Sequence, residues 1–103
     1  MEQIFSQLFY EVKKHRDTVL VTLIADRGSA PRKAGAQMLV GAEGRLVGTI
    51  GGGAVEHLAV QEAKALWAHG GGPVRRHYDL TPGAAELGMV CGGDIDVEFE
   101  VRK

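Results

Sequence analysis

Near the end of the chain the residues alternate without a break. Ile95, Val97, Phe99 and Val101 fall on one side, while Asp94, Asp96, Glu98 and Glu100 fall on the other. A period of two belongs to a β-strand with one face in the core and one toward water. Such a strand needs neighbours to pair with and an apolar layer to cover it, so the chain must build a sheet. The four carboxylates repel one another along their shared face. They read as gatekeepers of an exposed strand, or as partners for Arg75 and Arg76 across it.

The rest of the chain supplies the missing parts. Val19 to Ala25 is a nearly continuous apolar run, read as a central strand covered on both faces. Gln37 to Val40 and Arg45 to Ile50 make a hairpin through a four-residue connection, Gly41-Ala42-Glu43-Gly44. Val74 to Leu80 alternates as a half-exposed strand. Residues 3–15 place Ile4, Phe5, Leu8, Phe9 and Val12 at helical spacing, and Val55, Leu58, Ala59, Ala63 and Leu66 give a second helix over Ala54 to Trp67. Gly28-Ser29-Ala30-Pro31-Arg32 interrupts regular structure. Gly70-Gly71-Gly72-Pro73 ends the second helix, and Thr81-Pro82 can open a short helical turn. The expected class is α/β or α+β: a mixed sheet of about five strands flanked by two main helices.

Composition narrows the function classes. With 103 residues the chain is one domain, and its formal net charge of −1 speaks against a nucleic-acid footprint or a polybasic membrane patch. No apolar run approaches the ~18 residues of a spanning helix. Met1-Glu2-Gln3 lacks the start of a signal peptide. A lone cysteine, Cys91, fits a reducing cytoplasm. The expected setting is a soluble cytoplasmic domain.

Three segments can carry chemistry. Gly51, Gly52 and Gly53 stand where a strand hands over to a helix start, which exposes unpaired N–H groups and the positive end of the helix dipole. That is an anion or phosphate cradle, with Glu56 in the first helical turn competing for the same dipole. The plainer reading is a tight strand-to-helix crossing. No Gly-Lys-Ser/Thr follows, so it is not a P-loop, and Glu56 stands where a dinucleotide fingerprint needs glycine. Cys91 immediately precedes Gly92 and Gly93. Neighbouring N–H groups can stabilise a thiolate there, whereas a buried cysteine is inert. Ser29 and Arg32 form a polar, cationic turn past the central strand, suited to clamping a phosphate or simply solvated. His15, His57, His69 and His77 show no metal-ligand spacing, and no catalytic triad stands out.

Four motifs in order carry a resemblance over nearly the whole chain: Gly28-Ser29-Ala30-Pro31-Arg32, Gly35-Ala36-Gln37-Met38, Gly48-Thr49-Ile50-Gly51-Gly52-Gly53 with Glu56, and Gly88-Met89-Val90-Cys91-Gly92-Gly93. Together they resemble the N-terminal domain of the XdhC/CoxI family. The resemblance implies an accessory chaperone for molybdenum hydroxylases such as xanthine dehydrogenase and carbon monoxide dehydrogenase. Such a factor binds molybdenum cofactor (molybdopterin), protects its sulfurated form and delivers it to the apo-enzyme, with a cysteine desulfurase as sulfur source. On this reading Ser29, Arg32, Gly51, Gly52, Gly53, Glu56, Cys91, Gly92 and Gly93 are the candidate cofactor contacts. Arg32 and the glycine backbone would take the phosphate, Glu56 the pterin amino group, and Cys91 the metal or its sulfur. Family members of full length continue into a Rossmann-like domain, whereas this sequence ends at Lys103. The expectation is a single-domain member or half of a split pair, completed by a separate Rossmann-domain subunit or a homodimer. A non-catalytic docking module is the alternative, and a sulfur-transfer enzyme using Cys91 is a third.

Overall fold

The computed structural model describes residues 2–28, 34–51, 53–69, 73–79 and 93–102. Two helices, α1 (Glu2–Lys13) and α2 (Gly53–His69), accompany five strands: β1 (Thr18–Gly28), β2 (Gln37–Gly41), β3 (Gly44–Gly48), β4 (Val74–Asp79) and β5 (Gly93–Arg102). They form one sheet in the order β3-β2-β1-β5-β4. The fold is α+β. Every pairing is antiparallel, so the sheet is not the mixed one expected. The element order misled because α2 connects β3 to β4 at opposite edges and never joins two parallel neighbours.

β1 is central, as its apolar run requires. Val19 and Val21 lie opposite Val40 and Met38 on one side and Val101 and Phe99 on the other. These residues, with Leu23, Ile95 and Val97, pack against Val55, Ala59, Ala63 and Leu66 of α2. The opposite face carries α1. Leu39 is fully buried outside that cluster, its cross-strand partner Val47 lines a surface cleft together with Gln3, Ser6, Gln7 and Tyr10 of α1, and Ile4 is buried.

The carboxylate-bearing strand is not an edge. β5 sits between β1 and β4, and the sheet edges are β3 and β4, so residues 95–101 offer no open edge for a second copy to pair with. Its acids are instead matched within the sheet. Arg75 lies 3.2 Å from Glu98, and His77 Nδ1 lies 2.7 Å from Asp96. Arg76 points to the other face and binds Glu62 of α2 at 3.0 Å. The hairpin turn is also tighter than expected. Gly41 pairs with Gly44, leaving Ala42 and Glu43 as the turn.

α1 ends in a Schellman arrangement: the Arg16 N–H bonds the Glu11 carbonyl at 2.9 Å and the His15 N–H bonds that of Val12 at 3.0 Å. His15 occupies the left-handed position with φ 58°. A side chain there is strained by comparison with glycine. His15→Gly is therefore expected to stabilise the protein by roughly 0.5–1 kcal/mol, read as a higher denaturation midpoint at unchanged slope.

Tyr78 is half-buried against the α2-facing core. Desolvation, aided by the Glu62 charge and opposed by Arg76, pushes its phenol up from 10.0 to about 12. The folded state then holds the proton after the unfolded chain has begun to release it. Stability falls as pH rises from the unfolded value toward the folded one. Between pH 10 and 12 the wild type is expected to lose stability more steeply than Tyr78→Phe, as followed by denaturant midpoints.

Candidate functional site

Two of the three motifs flank the tip of the β1–β5 ribbon, and the third lies toward its foot. Gly28, the last residue of β1, pairs with Gly93, the first of β5. The flanks of the Ser29–Arg32 and Cys91–Gly92 segments are therefore adjacent. β3 ends at Gly48 opposite Met38, beside Gln37, which pairs with Thr22 of β1. The glycine turn thus lies at the foot of the β1–β5 ribbon, whose tip stands six residues further along β1, about 20 Å at the usual rise per residue. Ser29, Arg32, Gly52, Cys91 and Gly92 themselves lie outside the described residues, as does the Thr81-Pro82 turn. The Asp26 carboxylate accepts the Ala34 N–H at 2.6 Å, and Gly35 donates to the Leu23 carbonyl at 2.7 Å. These bonds fix where the Ser29–Arg32 segment returns to the sheet.

The glycine turn is built in detail. Thr49 Oγ1 accepts the Gly51 N–H at 3.1 Å, a local turn two residues long. The same hydroxyl donates to Glu56 Oε2 at 2.8 Å. Arg45 Nε meets the other oxygen, Glu56 Oε1, at 2.9 Å, and Arg45 Nη1 donates to the Gly48 carbonyl at 2.9 Å. A strand residue, a turn hydroxyl and a helix carboxylate thus lock β3 to the start of α2.

This arrangement changes the electrostatics expected at the turn. Alone, Glu56 would repel an anion from the α2 N-terminus. Paired with Arg45, its charge is locally balanced, and the first-turn N–H groups of α2, which have no intrahelical acceptor, keep their attraction for negative charge. Arg45 and Thr49 were not predicted as site residues. The Thr49–Glu56 spacing of seven matches no capping box, and Arg45 reaches Glu56 only through the tertiary fold. Gly53 opens α2, one residue before the expected start at Ala54, and Gly93 opens β5. Among the described residues no cluster of three or more His, Cys, Asp or Glu side chains is arranged for a metal, and no helix is long and apolar enough to cross a membrane.

Comparison with known proteins places this geometry in context. The model of the XdhC and CoxI family matches residues 12–79, more than half of the chain. The molybdenum cofactor insertion chaperone PaoD of Escherichia coli K12 is 39% identical over 80 residues, covering 78% of this chain and 25% of PaoD. A probable xanthine dehydrogenase component of Bacillus subtilis 168 is 42% identical over 94 residues, covering 86% of this chain and 28% of that protein. Among solved structures, a Bacillus halodurans protein described as a xanthine dehydrogenase superposes with a TM-score of 0.79 at 31% identity, over 93% of this chain and 29% of its own. The chain thus spans only about a quarter of the length of these relatives. A family match over most of the α1-to-β4 region, with relatives near 40% identity, leaves one assignment: the chain belongs to the XdhC and CoxI family.

Proposed function

We propose that this chain handles molybdenum cofactor as part of an accessory factor, holding it in sulfurated form for delivery to a molybdenum hydroxylase of the xanthine dehydrogenase or CO dehydrogenase type. The observation that carries the reading is the locked turn from Thr49 to Glu56, which offers the α2 N-terminus to an anion while Arg45 balances the nearby carboxylate. Membership in the family of a named cofactor insertion chaperone supports it.

The cofactor brings a phosphate, a polar pterin and a dithiolene-held metal. In this reading the backbone of Gly51, Gly52 and Gly53 holds the phosphate, with Arg32, whose segment returns to the sheet at Ala34 and Gly35, reaching toward it, and Ser29 contacts another part of the cofactor. Each Glu56 oxygen keeps a lone pair beyond its bond to Arg45 or Thr49, and these accept the pterin amino group. Cys91, Gly92 and Gly93 meet the metal or its terminal sulfur; the pairing of Gly28 with Gly93, which flank the Ser29–Arg32 and Cys91–Gly92 segments, supports that reading. The hydroxylase apo-enzyme, a cysteine desulfurase and a separate Rossmann-domain subunit or second copy are the partners this role calls for. The chain carries out no turnover in this scheme.

Titration with molybdopterin tests the site. Wild type is expected to bind at micromolar or tighter, and Glu56→Gln and Cys91→Ser are each expected to weaken binding. For Glu56 the loss is about tenfold, the worth of one charged hydrogen bond. Unchanged affinity in both variants removes the site assignment. No binding by wild type favours the second reading, a docking module that touches no cofactor; the exposed aromatic flank of α1 favours that reading too.

A further inference from the structure

The apolar residues of α1 divide in two. Ile4 is buried against the sheet and Leu8 is half-buried, but Phe5, Phe9 and Val12 are 59%, 63% and 52% exposed. Their i, i+4, i+7 spacing puts them on one flank of the helix. The opposite flank, with Gln3, Ser6 and Tyr10, looks onto Val47 of the edge strand β3. The aromatic flank therefore faces away from that cleft and lies open to solvent. Lys13 stands over the Phe9 ring at 5.0 Å and borders the stripe with positive charge. Two phenylalanines and a valine in water on one helix are costly unless something covers them.

The size of the relatives and the path of the chain say what does. About three quarters of each relative's length lies outside the region this chain matches. Arg102, at the end of β5, pairs with Thr18, just after the end of α1, so β5 ends beside that helix. We propose that the Phe5–Phe9–Val12 flank is the docking surface for the polypeptide corresponding to that remaining three quarters, through an apolar patch edged by a carboxylate for Lys13. The inference rests on the family assignment and not on cofactor binding, so the molybdopterin titration and the tests of this surface fail independently.

The intact Bacillus halodurans protein provides the test. The positions aligned with Phe5, Phe9 and Val12 are expected to be buried against residues outside the matched region, and an aspartate at the position aligned with Phe9 is expected to raise hydrogen exchange on both contacting surfaces. In the present chain, Phe9→Asp is expected to leave the thermal midpoint within about 3 °C of wild type, because the ring is 63% exposed in this fold. Three results overturn the proposal: solvent-facing positions in the relative, unchanged exchange there, or a large loss of stability in Phe9→Asp. Concentration-dependent dimerisation of this chain that Phe9→Asp abolishes also overturns it, since the occupant would then be a second copy.

Discussion

Gly48→Ala is expected to destabilise the protein by roughly 3 kcal/mol or more, the sum of backbone strain and a clash that cannot relax cheaply. Gly48 closes β3 at φ +80°, a conformation that side chains rarely adopt. A Cβ there would collide with the Gln37 carbonyl oxygen, which belongs to the backbone of β2, and would lie 2.9 Å from Ile4 Cδ1. The isoleucine tip can move, but the carbonyl is held in the sheet. The damage reaches the candidate site, because the Gly48 carbonyl takes one hydrogen bond from the arginine that balances Glu56. Chemical denaturation reads the stability loss. Exchange of the Gly51 amide, bonded to Thr49 in the wild type, reads the loosening of the turn. An alanine variant of unchanged midpoint would mean that β3 bends away freely and that the turn is not fixed by this contact. Gly35→Ala is the control for strain without collision: it shares a positive φ of +102° but has open space around the added atom.

The contrast between those glycines shows what sequence can and cannot carry. Both stand beside strands, and no pattern in the chain separates the one whose neighbour is a carbonyl from the one facing solvent. The strands themselves were legible. The 95–101 alternation and the apolar run after Val19 each have a single structural solution, and the structure places them side by side in the middle of the sheet. Strand direction was not legible, since α2 spans the sheet from one edge strand to the other and chain order alone does not reveal that. At the site, the glycine turn and Glu56 stood out because glycine runs before a helix are rare and local. Arg45 and Thr49 did not, because their role exists only when β3 and α2 come together. The apolar pattern of α1 gave the helix correctly, yet could not divide Ile4 from Phe5 and Phe9. Period alone counts apolar residues; the number of strands beneath the helix decides which of them are covered.

Phe99→Ala is expected to cost about 3–5 kcal/mol, the range for deleting a buried aromatic ring, with the exact value set by how far the site collapses. Phe99 is fully buried, lies opposite Val21 on β1 and Val74 on β4, and belongs to the cluster beneath α2. Its neighbours are strand residues whose positions are fixed by hydrogen bonds on both sides, so little of the space can close. In a domain of this size each kcal/mol shifts the thermal midpoint by about 4–8 °C, so the drop should exceed about 12 °C. A loss of that order is a large share of the ~5–15 kcal/mol that holds a typical domain together, and a partly unfolded variant at about 37 °C is the expected outcome. Phe9→Ala is the matched comparison, with the same atoms removed from a ring 63% exposed and an expected change below about 1 kcal/mol. Equal losses in the two variants would place α1's outer flank inside the core and would undo both the packing described for α1 and the docking surface proposed on it. A large loss for Phe99 alone assigns the buried ring to the fold and leaves the exposed ring for a partner.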